Sequence, residues 1–452
     1  MSLYDLIIRN GTLVTAEGIS QSDLAIAGGQ IVMIEPELEG TSDEEIDAWG
    51  MHIFPGGIDA HLHFNDPGRA HWEGFVTGTH ALAAGGTTAF FDMPLNASPP
   101  TIDAASFDLK RREAQANSLV DFGLWGGLVP GNIDRLEELV GRGVVGFKAF
   151  MSNSGIEDFP SVDDVTLYEG MQRAAQLGSI VAVHAENEQI TGILARRARE
   201  RGKTGIRDYL DSRPVVAELE AIERAILFAQ ETGCKLHIVH VSSGRGVALV
   251  VEARARGIDV SCETCPHYLV LTEDDVERLG AVAKCAPPLR TRVVQEELWQ
   301  QLLAGNIPMV TSDHSPAPAE MKTGSDFFQV WGGISGCQSL LQLLLTDGYY
   351  ERQLPLETIA SLTSAYIAHR FRLGLRKGRL AIGADADFAL IDLQAEGELR
   401  TSDLYYRHAH SPYIGKTLHG RIRRTLLRGD TIFLDGQFAP DVRGKLIKPQ
   451  LS

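Results

Sequence analysis

At 452 residues, with 44% hydrophobic residues and 46 glycines, the chain is long enough for one large domain or two ordinary ones around a sizeable core. Its 42 basic against 59 acidic residues leave a net charge of −17, which argues against a nucleic-acid partner. No apolar run approaches a membrane span, the opening Met-Ser-Leu-Tyr-Asp-Leu lacks a signal-peptide pattern, and five scattered cysteines do not make a secreted disulfide framework, so no membrane is expected and the cytoplasm is the expected address.

The first elements read as strands. Residues 5–14 alternate, with a turn at Asn10-Gly11, and residues 24–34 follow, broken at Gly28-Gly29; both are hairpin signals. From there strand-like runs alternate with helical stretches. The strands fall at 53–64, 87–93, 122–129, 144–151, 179–184, 235–241, 260–264 and 308–313. In one helical stretch Leu219, Ile222, Ile226 and Ala229 share a face. Gly85-Gly86, Gly143, Gly178, Gly233, Gly257 and Gly305 close helices ahead of the next strand. Eight such alternations predict an α/β fold, a (β/α)8 TIM barrel, although a doubly wound sheet reads similarly. Residues 387–393 and 424–434 return to strand, with a turn at Asp435-Gly436. The expected organisation is a small β-sandwich built from both chain ends, 1–52 and 379–452, with the barrel over 53–378.

Chemistry-bearing residues fall where the barrel strands end, the face on which such barrels work. The first strand ends in His61-Leu62-His63, and strand alternation turns both imidazoles to one side. Lys148 lies in the apolar fourth strand, where a bare ammonium is costly to bury. His184 and His240 fall at the ends of the fifth and sixth, with His237 out of phase and expected to point away. The eighth ends in Ser312-Asp313-His314-Ser315. Each residue alone has an ordinary explanation. Together, imidazoles and a carboxylate at ends one, five, six and eight, with a lysine on four, suit a two-metal hydrolytic site. Cys262 and Cys265 form a CxxC, in principle a redox pair or half a zinc site. With no second pair and no helix expected to open there, they read as two strand-end residues.

These residues and their neighbours resemble the cyclic amidohydrolases. The likeness runs through Gly56-Gly-Ile-Asp59-Ala-His61-Leu-His63, Gly146-Phe-Lys148-Ala-Phe-Met, Val183-His184-Ala-Glu-Asn, His240-Val-Ser-Ser, Glu263-Thr-Cys-Pro-His-Tyr-Leu, Ser312-Asp313-His-Ser-Pro and the segment 378–387. The family contains dihydroorotases, hydantoinases or dihydropyrimidinases, and allantoinases. The resemblance implies two divalent ions, usually zinc, bridged by Lys148 carrying carbon dioxide as a carbamate. His61, His63 and Asp313 would complete one ion, and His184 and His240 the other. A hydroxide held between them would attack the amide, and Asp313, as the catalytic residue, would carry its proton to the leaving nitrogen. Family habit also implies a homo-oligomer, with a tetramer favoured.

Finer features bear on the substrate. Asn65 stands where dihydroorotases of this type place a carboxylate-binding arginine, and an uncharged side chain makes no bidentate clamp. Asn153 stands where hydantoinases place a tyrosine, and Trp331-Gly332-Gly333-Ile334 replaces their asparagine-bearing turn. Segments 68–74, 92–96, 284–290 and 407–415 resemble the allantoinase branch, with Ala286 a departure from its usual serine. That branch implies allantoin as the small-molecule substrate, a neutral hydantoin ring with a ureido arm, opened to allantoate. Arg69, Asn96, Asn153, Cys285, Ser315 and Gly332 are the expected substrate contacts. The alternatives are a hydantoinase or dihydropyrimidinase, and a non-catalytic scaffold protein, which would be expected to lose metal ligands. A deacetylating or deaminating relative without the bridging lysine is more remote.

Overall fold

Strand β1 (Tyr4–Val14) pairs antiparallel with β2 (Ile19–Ala27), and β2 with β3 (Gln30–Glu35) across the turn at Gly28-Gly29. The computed structural model to which these elements belong describes residues 2–441 and 444–450. Asn10-Gly11, expected to be a turn, lies inside β1. Asn10 adopts φ 61°, its amide donates to Asp23 Oδ1 (2.9 Å), and the pairing with β2 shifts between Ile8 and Gly11. The pair forms a β-bulge, and a Cβ at Gly11 would lie 2.3 Å from Ile53 Cδ1. Strands β4 (Ser42–Asp47) and β5 (His52–Pro55) run parallel to β1.

The expected strand 53–64 is two strands, β5 in this first sheet and β6 (Gly57–Leu62) in the barrel, so the sheet unit reaches Pro55. At the break, a Cβ on Gly56 would lie 2.1 Å from Thr88 Oγ1. The barrel continues through β7 (Thr87–Asp92), β8 (Asp121–Leu124), β9 (Gly126–Gly127), β10 (Phe147–Phe150), β11 (Ile180–His184), β12 (Lys235–Ile238), β13 (Val260–Thr264) and β14 (Met309–Val310). Strands β8 and β9 are halves of one stave, interrupted at Trp125, whose amide donates to Asp92 O (3.0 Å). All the staves are parallel. The ring closes where Leu62 bridges His314, Asp313 N donates to His61 O (2.9 Å) and His63 N donates to His314 O (2.8 Å). First and last staves are therefore neighbours, which selects the barrel over the doubly wound sheet. Residues from staves around the ring, among them Ile58, Phe91, Trp125, Ala182 and Met309, share one buried cluster.

The helices follow the expected pattern. Helix Val215–Thr232 buries Leu219, Ile222, Ile226 and Ala229, and Gly233 caps it at φ 68°. Beyond the barrel, β15 (Phe388–Glu398) pairs antiparallel with β5, and β16 (Thr417–Leu427), β17 (Asp430–Leu434) and β18 (Gln437–Phe438) complete a nine-stranded, mostly antiparallel sheet. The sheet wraps over its own core, because Ile31 N donates to Ala384 O (2.9 Å) just ahead of β15. Leu6, Ile8, Leu24, Ile31, Phe388 and Leu426 fill the space enclosed. Lys377 ties the two units together. Its Nζ lies 2.5 Å from Asp121 Oδ2 on the barrel and 2.7 Å from Asp387 Oδ2 next to β15, and Arg428 lies 2.7 Å from Asp121 Oδ1. Among the described residues no helix is long and apolar enough to cross a membrane.

Candidate metal centre

The ends of four staves bring five ligand-type side chains to one spot. His61, His63 and Asp313 each offer a ligand atom, all within 4.8 Å of one another. Asp313 Oδ1 lies 3.2 Å from His61 Nε2 and 3.4 Å from His63 Nε2. His184 Nδ1 lies 3.0 Å from His240 Nε2, and the His61 and His240 ring centroids are 5.4 Å apart, so the two groups adjoin. His240 (φ 40°) and Asp313 (φ 44°) both take left-handed backbone conformations. For such residues that costs on the order of 1–3 kcal/mol each, strain of the kind found where a site dictates geometry.

Lys148 is fully buried on β10, and its Nζ has no hydrogen-bond partner. Burial pushes the amine down to about 7, against the pull of Asp313 and Glu263. His63 Nδ1 and His240 Nδ1 are buried and unpartnered as well. Four imidazoles and a carboxylate beside an unpaired buried amine form a donor set that suits divalent zinc-type ions.

Buried carboxylates hold the histidines from behind. Glu263 Oε1 meets His61 Nδ1 at 2.5 Å, its Oε2 meets His237 Nε2 at 3.0 Å, and His237 Nδ1 meets Ser261 Oγ at 2.9 Å. His237 therefore does not point away from the site, as its spacing from His240 had suggested. The chain leaves β12 at Ile238 and His240 is left-handed, so a strand phase counted back from 240 does not reach 237. Burial alone would raise the Glu263 carboxyl, but His61 and His237 outweigh it and hold it well below the usual range. On the other side His184 Nε2 meets Glu186 Oε2 at 2.9 Å, and Arg213 ion-pairs with Glu186. Against the upward push of burial, Arg213 and His184 bring Glu186 to about 2. Sequence reasoning gave neither Glu186 nor Glu263 a role. The available signal was a carboxylate inside an apolar strand at 263 and one two residues beyond His184.

The cluster opens into a cavity of about 250 Å3. Asn96, Asn153, Cys285, Ser315 and Gly332 line it, as do Tyr209, Arg213, Lys284 and Trp331, which the sequence had not singled out as contacts. Arg69 is not on the wall. It donates to Asn96 O (2.9 Å) and faces Asp158 at 3.6 Å, so it braces Asn96 from outside. Asn65 is buried away from the cavity, its Nδ2 3.4 Å from Pro316 O. Two sequence-distant segments that share the family likeness dock on each other. Arg407 N donates to Glu73 Oε1 (3.0 Å), and Glu73 Oε2 lies 3.6 Å from His314 Nε2. Cys262 and Cys265 are buried free thiols, and burial pushes Cys262 up to about 12. A short helix, Pro266–Val270, does open after Cys265, contrary to expectation, but neither thiol sits where a thiolate is favoured.

A closed parallel barrel with histidines and an aspartate gathered at its strand ends is the architecture of a metal-assisted hydrolase. Residues 52–432 match the amidohydrolase family, and the chain belongs to that family. It is 59% identical over 450 residues to an allantoinase of Rubrobacter xylanophilus, covering 100% of this chain and 99% of the relative. It is 56% identical to an allantoinase of Deinococcus radiodurans, covering 100% of both. Among solved structures it is similar to an L-hydantoinase (dihydropyrimidinase) from Arthrobacter aurescens, with a TM-score of 0.96 at 34% identity, covering 99% of this chain and 100% of that one.

Proposed function

We propose that the chain hydrolyses the ring amide of allantoin to give allantoate. One observation carries the reading: full-length identity above half with allantoinases, on a chain that keeps the whole histidine, lysine and aspartate set. His61, His63 and Asp313 would hold one divalent ion, zinc by preference, and His184 and His240 a second. Lys148, as a carbamate formed with carbon dioxide, would bridge them. Its burial supports this, because an amine pushed down to about 7 supplies the neutral form that takes up carbon dioxide. Bound ions supply Lewis acidity toward the ring carbonyl and toward water.

The protein's own groups do the rest. Against burial, His61 and His63 hold Asp313 down to about 2, so it is a carboxylate at neutral pH. Its free oxygen takes the proton of the attacking water and passes it to the leaving ring nitrogen. Glu263 and Glu186 keep His61 and His184 in one orientation. Asn96, Asn153 and Ser315 offer amide and hydroxyl groups to the ureido arm. We assign the protein to the cytoplasm on its sequence pattern and propose a homo-oligomer, a tetramer by preference, on the family resemblance.

A hydantoinase or dihydropyrimidinase is the second reading, favoured by the structural likeness to the Arthrobacter enzyme. Assays of allantoin, hydantoin, dihydrouracil and dihydroorotate side by side separate the two. A site that pairs polar groups rejects ligands that leave them unpaired, so kcat/KM for allantoin should exceed that for hydantoin and dihydroorotate by at least roughly a hundredfold. Dihydrouracil or an aryl hydantoin proving the better substrate would replace this reading with the second.

A further inference from the structure

Six consecutive residues, 328–333, form one wall of the cavity, and none of them lies in a helix or strand. A loop of that kind is ordinarily the most mobile part of a site. Here two lysines hold it. Lys284 is buried beside the cavity; its Nζ donates to Phe327 O (2.6 Å) and to Val330 O, and sits 4.5 Å from the Tyr209 ring centroid. Its own carbonyl accepts from Gly333 N (2.7 Å). From the other side, Lys322 Nζ donates to Ala281 O (3.2 Å), Trp331 O (3.4 Å) and Gly333 O.

The loop is also pressed against the segment that carries the proton carrier. A Cβ at Gly333 would lie 2.2 Å from Ser315 O. Among the described residues neither the N–H nor the C=O of Gly332, a residue of this wall, makes a hydrogen bond. A buried amine that spends its donors on the carbonyls of a loop stabilises one loop shape, because releasing the loop leaves the amine unpaired.

The scissile amide must lie against His61, His63 and Asp313, so a substituent on the ring reaches the other walls. We propose that Lys284, assisted by Lys322, is a specificity-determining positioning residue: it holds 327–333 in the shape that receives the ureido arm, leaving the attack on the ring amide to the histidines and Asp313. This rests on the allantoin reading above.

The experiment uses the full-length, metal-loaded protein and the variants Lys284→Met and Lys322→Met. For each, kcat and KM are measured with allantoin and with unsubstituted hydantoin, and backbone hydrogen exchange is followed over 327–333. In Lys284→Met the allantoin-to-hydantoin ratio of kcat/KM should fall at least tenfold, mainly through a higher KM for allantoin, with faster exchange confined to the loop and metal content at the wild-type level. Lys322→Met should move both readouts in the same direction by a smaller factor, and it carries the test if Lys284→Met does not fold. An unchanged ratio, or an equal loss on both substrates, overturns the proposal. A wild-type enzyme with no preference for allantoin over hydantoin instead overturns the functional reading, and the exchange data still report whether the lysines hold the loop.

Discussion

Glu263→Gln tests how far the buried carboxylates govern the metal centre. The change keeps the side chain's volume. The amide oxygen can still accept from His61 Nδ1, and its NH2 can donate to His237 Nε2 if the His237 proton moves to Nδ1, where Ser261 Oγ accepts it at 2.9 Å. What disappears is a negative charge 2.5 Å from the His61 ring. Turning that charge-assisted bond into a neutral one costs about 1 kcal/mol. Loss of the anion near a cation in a poorly screened, buried site adds to it. Carboxylates behind metal-binding imidazoles are typically worth about 10- to 100-fold in metal affinity, or about 1.4–2.7 kcal/mol. Equilibrium dialysis against graded chelator, with metal per chain read by elemental analysis, should show the variant losing metal at correspondingly weaker chelation while its thermal unfolding stays near wild type. Metal retention identical to wild type in a folded variant would refute the idea that Glu263 supports the centre through His61.

Lys148→Ala should lose activity and most bound metal, and acetate or formate supplied with metal should restore part of both; full activity in the variant would end the carbamate assignment. Asp313→Asn should lower kcat by on the order of 10²- to 10⁴-fold, the usual worth of a proton carrier, with KM much less affected. A loss confined to KM would take Asp313 off the proton path. Asp121→Asn removes the carboxylate that Arg428 pairs with and one of three that face Lys377, which keeps Asp385 and Asp387, and should cost about 1–3 kcal/mol of stability, seen as a lower urea midpoint with metal content unchanged. A midpoint equal to wild type would show that these pairs contribute nothing to holding the two units together.

Much of the barrel was legible in the chain because its signals are local. Strand runs, the shared face of Leu219, Ile222, Ile226 and Ala229, and the glycines that close helices each depend on neighbours within a few residues. The histidines and Lys148 stood out for a related reason: ionisable groups in apolar strand ends are costly without a partner, so their presence implies one. Asn10-Gly11 shows the limit, since the same pair serves a hairpin turn or a bulge and only pairing with β2 separates them. His237 shows it again, because strand phase fails where the backbone turns left-handed at His240. Arg69 was placed on the cavity by sequence likeness, but loop packing sends its guanidinium to Asn96 O. Ring closure, the Glu263 and Glu186 supports and the lysine-held wall were beyond the sequence altogether. Each joins residues far apart in the chain. Periodicity says which face of an element is apolar, whereas which elements meet, and in what register, depends on the packing of the whole barrel at once.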